Sequence, residues 1–452
     1  MLYDFRRNRN IFIRKKLKSK VLRVRENKGE KVRKYMSKKY YMVIAIIIAV
    51  MIIASTTLWY YYNVSPPEST IRIGVIGPFT GPYSRTGEEM KRGSILAVEE
   101  VNAKGGIMGM KVELFFEDSE SKPEVGVSAF EKLVTRDRIH VLAGCYHSSV
   151  TLAVMDRAAE HKIPFINALS LSEEIAKKIR SDPEKYKYVF HVELNSTGMA
   201  LSERAFIQDI VEAGIFTPKT KTISIICEDT DYGRSAASAF KERMEEIGWT
   251  VVSEDYWSLG TTDFSSIITK IETLNPDVIY SAGGGTDAAR LVSQLHDLGV
   301  KKLIVGESFT LFPEFFDMVG EKGLGLIDFI QTPEATPVGK NFTQRYIEKF
   351  DQYPTYTAGA QYDCVMIALR AIERAGSLDP DAIVEALLQT DYRGFLTERV
   401  VFNPVSHEAI FGPGYRVFSA VQIQKEDGEL KLFDIWPFTI ASRPILKTWE
   451  DP

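Results

Sequence analysis

Cysteine is scarce in this chain. Cys145, Cys227 and Cys364 are the three among 452 residues, an odd and widely spaced set from which no disulfide framework can be argued. Cys227 lies inside the apolar run TISIIC, so a small buried core residue is the reading for all three. Histidine is sparse as well. His140, His147, His161, His191, His296 and His407 show no triad-like pattern of partners, and no short-spaced Cys or His pair suggests a metal site. Nucleotide and acyl-transfer loops are missing: Gly74-x-x-Gly77 lacks the dinucleotide spacing, and neither GxxxxGK[ST] nor G-x-S-x-G occurs. The residues offer no catalytic constellation and call for no cofactor.

Charge is unevenly spread. The net charge of −4 hides sixteen Lys or Arg against three acids in residues 1–40, which leaves the remainder near −17. An acidic folded part does not suit a polyanionic partner, so nucleic acid is not expected to bind it. The basic tail lacks the apolar periodicity of a helix-turn-helix. Its reading is a topology signal with some attraction to anionic lipid.

Tyr40 to Tyr62, YYMVIAIIIAVMIIASTTLWYYY, holds no charged residue and is long enough to cross a bilayer. Trp59 to Tyr62 would form an aromatic belt, and the basic residues before the run place the N-terminus inside. The expectation is therefore residues 1–39 as a basic cytoplasmic tail, 40–62 as a transmembrane anchor or signal-anchor and 63–70 as a polar tether. A cleaved signal peptide is the rival, but the run is long and no clear A-x-A site follows. Asn63, Asn195 and Asn341 stand in N-x-S/T sequons, which suits a large domain outside the cell.

From residue 71 strand and helix signals alternate for some 340 residues. Strand-like runs fall at Ile139–Gly144, Pro164–Ala168, Thr222–Cys227, Val278–Ala282 and Leu303–Gly306, with amphipathic segments such as Glu124–Thr135, Ser148–Glu160, Gly233–Ile247 and Asp287–Leu298 between them. This pattern predicts an α/β protein with parallel sheets in two doubly wound lobes. Crossings between the lobes are expected at His191–Ser196, Gln331–Ala335 and Phe411–Tyr415, the last before a strand pair around the Glu426–Gly428 turn.

One stretch organises the rest. Ile71 to Glu117 reads as strand, glycine-rich turn, helix and second strand, a right-handed βαβ unit. Thr86 and Glu89 have the spacing of a capping box, and Gly105 and Gly106 end the helix. The segment GPFTGPYSRTGEEMKRGSILAVEEVNAKGGIMGMKVEL resembles the opening signature of the type I periplasmic binding proteins of the branched-chain amino acid class, with its glycines at fixed spacing. The likeness runs along nearly the whole chain from residue 71. It implies two Rossmann-like lobes, 71–192 plus 332–412 and 193–331 plus 413–442, joined by a three-strand hinge that closes on a ligand.

In open α/β sheets ligands sit beyond the carboxyl ends of the strands. Tyr83, in the first loop, either closes over a ligand or packs on its own lobe. Ser148 and Ser149 follow a strand end and open a helix, a natural carboxylate receptor. The resemblance gives Ser148 the α-carboxylate, and the alternative is that it serves only as an N-cap. Leu169 (backbone) and Ser170 (hydroxyl) stand where the family uses a backbone group and a threonine, a place where this chain departs from the pattern. Tyr232 matches the tyrosine of the family's "d..yG" segment, while Asp229 and Asp231 read as helix caps or first-turn acids. Gly284 lies in a glycine run where amino-acid-binding relatives carry a ring, and Glu307, displaced by one position, would pair with an ammonium. His147 reads as a loop residue.

The resemblance implies a solute-binding protein that captures an amino-acid-like or carboxylate ligand and presents it to an ABC-transporter permease. The alternatives are a sensory ectodomain built on the same fold and an enzyme on this scaffold.

Overall fold

The computed structural model describes residues 3–63 and 70–449, apart from 312–313, 331, 333–335, 396–398, 413–414, 416–417 and 440. The chain divides into two compact units, Met1–Glu68 and Ser69–Pro452.

Among the described residues the first unit is one helix, Tyr3–Asn63. Within it Asn27–Thr56 is long and apolar enough to cross a membrane, with a mean hydropathy of 2.0 in its richest window. Ile46, Ile47 and Ile53 lie half or more exposed along this run. The side chains of the expected aromatic belt and residues 64–69 of the expected tether lie outside the described residues.

The second unit holds two sheets. The first contains β1 (Thr70–Gly77), β2 (Lys111–Asp118), β3 (Val141–Ala143), β4 (Phe165–Asn167) and β5 (Val189–His191), all parallel, in the order β2-β1-β3-β4-β5. The second contains β6 (Thr222–Glu228), β7 (Thr250–Trp257), β8 (Val278–Ala282), β9 (Leu303–Glu307), β10 (Ile327–Phe329), β11 (Ala420–Glu426) and β12 (Glu429–Trp436), in the order β12-β11-β10-β9-β8-β6-β7. Its strands β6 to β10 are parallel and repeat the order of the first sheet, and the antiparallel pair β11 and β12 extends the β10 edge. Asp427 and Gly428 take φ of 53° and 86° at the tip of that pair, the left-handed backbone that a tight Asp-Gly hairpin requires.

The central strands are largely apolar because helices cover both faces. In β1, Ile71, Ile73, Val75 and Ile76 are fully buried. Helix Ser84–Ala103 crosses from β1 to β2 and packs on helix Tyr356–Ala375, which returns from far along the chain. A Cβ at Gly93 would stand 2.1 Å from the Ala358 carbonyl oxygen, so this signature glycine lets two helix backbones meet. Helix Ser84–Ala103 begins at Ser84 with no side-chain cap. The expected capping box is therefore not formed: Glu89 instead accepts from the Tyr346 hydroxyl at 2.7 Å and from Thr355 N at 3.2 Å, across the helix interface. All three cysteines are buried free thiols.

β5 leads directly into helix Ser196–Glu212 of the second sheet's layer. Beside this crossing runs a later one: His191 N donates to the His407 carbonyl, and Ala409 N donates to the His191 carbonyl, both at 2.9 Å. Glu408 ties the two together, accepting from Asn195 Nδ2 at 2.6 Å and from Arg180 at 3.1 Å. Of the expected crossing 331–335, residues 331 and 333–335 lie outside the described residues, as do 413–414 of the expected crossing 411–415.

Candidate functional site

Each sheet reverses its strand order once, between β1 and β3 in the first and between β6 and β8 in the second. A crevice opens at such a point beyond the carboxyl ends of the strands. The segments leaving those four strands, with those leaving β4 and β9, enclose one cavity of about 40 Å³, room for on the order of three water centres. Its walls are Tyr83, Tyr146, His147, Ser148, Ser149, Leu169, Leu171 and Leu311 with Glu228, Thr230, Tyr232, Gly284 and Ser308.

The first wall is built by tight turns. Asp118, at the end of β2, accepts from Phe79 N at 2.9 Å and the Thr80 hydroxyl at 2.6 Å, fixing the loop that carries Tyr83. After β3 the backbone turns at Cys145, where φ is 70°. Ser308 after β9 holds the same left-handed value. Non-glycine residues in this region cost on the order of 1–3 kcal/mol and gather where side chains must be aimed.

Ser148 is the first residue of helix Ser148–His161, with His147 at the N-cap position. Ser148 is thus not the cap, and its Oγ accepts from Ser172 N at 3.2 Å. The first-turn amides of a helix have no partner within it, and this helix end stands at the cavity. The next segment is held from beneath by Asn167, whose Oδ1 accepts from Leu169 N at 3.2 Å and Ser170 N at 3.0 Å. Leu169 therefore lines the cavity with its amide already engaged. Ser170 does not line it: its hydroxyl meets Thr151 Oγ1 at 2.6 Å, Asn167 Nδ2 at 3.1 Å and the Tyr146 carbonyl at 3.1 Å.

On the second wall Thr230, rather than Asp229 or Asp231, caps helix Asp231–Glu245, accepting from Gly233 N at 3.1 Å. Asp231 lies in the first turn, and Asp229 pairs with Arg234 at 2.6 Å. Glu228, the last residue of β6, faces the cavity; the Thr230 hydroxyl donates to it at 2.7 Å and Gly284 N at 3.3 Å. Burial raises its carboxyl to about 7 against those two donors, with Asp287 and Glu307 adding to the rise. Among the described residues lining the cavity, no Lys or Arg balances it.

Glu307 lies under the wall instead of in it. It is fully buried, accepting from the Tyr232 hydroxyl at 2.8 Å and the Tyr280 hydroxyl at 2.6 Å, with Glu203 alongside. The glycine run Gly283–Gly285, where relatives carry a ring, leaves no open room either. A Cβ at Gly283 would stand 2.5 Å from the Trp257 ring, and one at Gly285 3.4 Å from the ring of Tyr83, which reaches across from the first wall.

Tyr83, Ser148, Ser149, Leu169, Tyr232 and Gly284 are thus brought together, and Ser170 and Glu307 are not. Sequence reasoning passed over Tyr146, His147, Leu171, Glu228, Thr230, Ser308 and Leu311. For Glu228 a signal was present, a carboxylate closing an apolar strand.

Residues 70–425 match the model of the periplasmic binding protein family. The chain is similar to Leu/Ile/Val-binding protein homolog 3 of Brucella melitensis, 30% identical over 70% of this chain and 83% of that protein. It is similar in structure to a branched-chain amino acid transporter substrate binding protein of Streptococcus pneumoniae in complex with isoleucine, with a TM-score of 0.68 and 23% identity over 81% of this chain and 99% of that one. A solute binding protein of an ABC transporter from Rhodopseudomonas palustris, in complex with 3,4-dihydroxybenzoic acid, superposes with a TM-score of 0.69 and 20% identity over 84% and 99% of the two chains. Two like-ordered α/β lobes, a cleft at their switch points and a family match over most of the chain place this protein in the periplasmic binding protein family.

Proposed function

We propose that the protein captures a small amino acid between its lobes, outside the cell, and delivers it to an ABC-transporter permease without turning it over. The carrying observation is that the two walls offer opposite chemistry: a helix N-terminus with Ser148 and Ser149 on one side and the buried carboxylate of Glu228 on the other. An α-carboxylate suits the first wall and an ammonium the second. The ammonium partner assigned from sequence to Glu307 passes to Glu228, which faces the cavity. Tyr83 and Tyr232 close the sides. A cavity of about 40 Å³ admits such a ligand only when the lobes part. The helix Tyr3–Asn63 would anchor the protein, with its basic end inside. Transport is favoured over sensing because two of the similar proteins are transporter components by their own descriptions.

Calorimetric titration with amino acids, their des-amino acids and their carboxamides tests this reading. Binding that needs both the amine and the carboxylate is expected; equal affinity for the des-amino acid overturns the role of Glu228. Recovery of a chemically altered ligand would return catalysis to consideration. Carbonate-resistant sedimentation of the full chain with membranes is expected of an anchor, and release into the supernatant overturns it.

A further inference from the structure

His147 is the one titratable side chain of the first wall, tyrosines aside, that the amino-acid reading leaves without a task. It is 9% exposed. Its ring stands edge-on to Tyr83, with centres 4.6 Å apart, and to Tyr146 at 4.9 Å. Both ring nitrogens are buried without a hydrogen-bond partner, although the ring lines the cavity. A neutral imidazole carries one donor and one acceptor, and a buried polar group left unmade costs its full desolvation. Native interiors rarely accept this, and a group so left marks a place that something else completes. Burial holds the imidazole down at about 4, in its neutral form.

The chemistry of the missing partner follows from the neighbours. The residues after His147 open the fourteen-residue helix Ser148–His161, whose first amides point the same way along the chain. With no Lys or Arg among the described lining residues, an anion at this wall must be matched by neutral donors.

We propose that His147 is a ligand-binding residue, its ring N–H donating to the carboxylate of the bound amino acid and completing the donor set of Ser148 and Ser149. This inference rests on the amino-acid reading of the cleft. A carboxylate takes a charge-assisted bond, roughly twice as strong as that to a neutral amide, so the residue also selects acids over carboxamides.

The test titrates the detergent-solubilised full chain with the twenty proteinogenic L-amino acids and their carboxamides, beside His147→Phe and His147→Gln. For the best-bound amino acid, His147→Phe is expected to weaken binding about ten- to a hundredfold and to lose most of the preference over the carboxamide. His147→Gln, which keeps a donor, recovers part of both. The ¹⁵N resonances of the His147 ring in the wild type are expected to shift on saturation. Equal affinity in a folded His147→Phe overturns the assignment and leaves the amino-acid reading standing. Should that variant not fold, unmoved ring resonances at saturation overturn it. Failure of every amino acid to bind the wild type overturns the reading and the assignment with it.

Discussion

The Tyr232 hydroxyl donates to Glu307 Oε1 at 2.8 Å while Tyr280 donates to Oε2 at 2.6 Å. Two phenols thus hold one buried carboxylate beneath the ligand wall. Burial raises the Glu307 carboxyl, but these hydroxyls and Glu203 oppose the rise; burial and the neighbouring Glu307 charge push Glu203 up further. A shared proton therefore favours Glu203 over Glu307. Glu307→Gln is expected to cost about 1–3 kcal/mol in denaturant melts, since an amide cannot accept from both phenols. Glu203→Gln, which resembles the protonated acid, should stay within about 1 kcal/mol of the wild type. Equal losses in the two variants contradict this division.

Glu228 gives the cleft a pH dependence of known sign. The folded protein holds a proton that the unfolded chain has released, so the contribution is full below the ordinary carboxylate range and is lost as pH rises through about 7. A rise of this size corresponds to about 3 kcal/mol of stability lost between acid and neutral pH. Denaturant melts of Glu228→Gln at pH 5 and pH 8 should show a smaller difference than the wild type by up to that amount. Ligand affinity runs the other way: an ammonium needs the ionised form, so wild-type affinity should fall about tenfold per unit below pH 7 and level off above it. A flat affinity profile contradicts the pairing.

Ser148 Oγ accepts from Ser172 N and has one hydrogen left to give. Ser148→Ala should weaken a carboxylate ligand by about tenfold in calorimetry, with a small change in melting temperature. Unchanged affinity removes Ser148 from the donor set.

Gly93→Ala places a methyl 2.1 Å from the Ala358 carbonyl oxygen. The helices must part, at about 1–3 kcal/mol or more. The melting temperature should fall while the affinity of the remaining folded protein holds.

Strands β1, β6, β8 and β9 were legible because long apolar runs closed by turn residues carry their own boundaries. Strand β10 was not, since three residues with Asp328 in the middle offer neither an apolar run nor a period to read. The site shows a sharper limit. Glu228 and Glu307 both close apolar strands, and their sequences look alike in kind. Successive side chains of a strand alternate between faces, so a shift of one residue decides whether an acid meets the cavity or the layer beneath. Glu307 turns toward Glu203, and Glu228 toward Thr230 and Gly284. His147 was dismissed because loop position says nothing of burial. Thr86 and Glu89 had capping-box spacing, but the helix begins two residues earlier and Tyr346, from helix Pro337–Phe350, claims the glutamate.

The helix that Gly93 meets lies far downstream, at Tyr356–Ala375. In order of synthesis the five strands of the first sheet are finished at His191, yet one of their covering layers comes about 160 residues later. At ribosomal speeds of about 5–20 residues per second, that face waits roughly ten to thirty seconds. The first sheet, earliest in its strands, is therefore sealed late. A slowly closed apolar sheet, rather than the cleft, is where failed folding and chaperone engagement should concentrate.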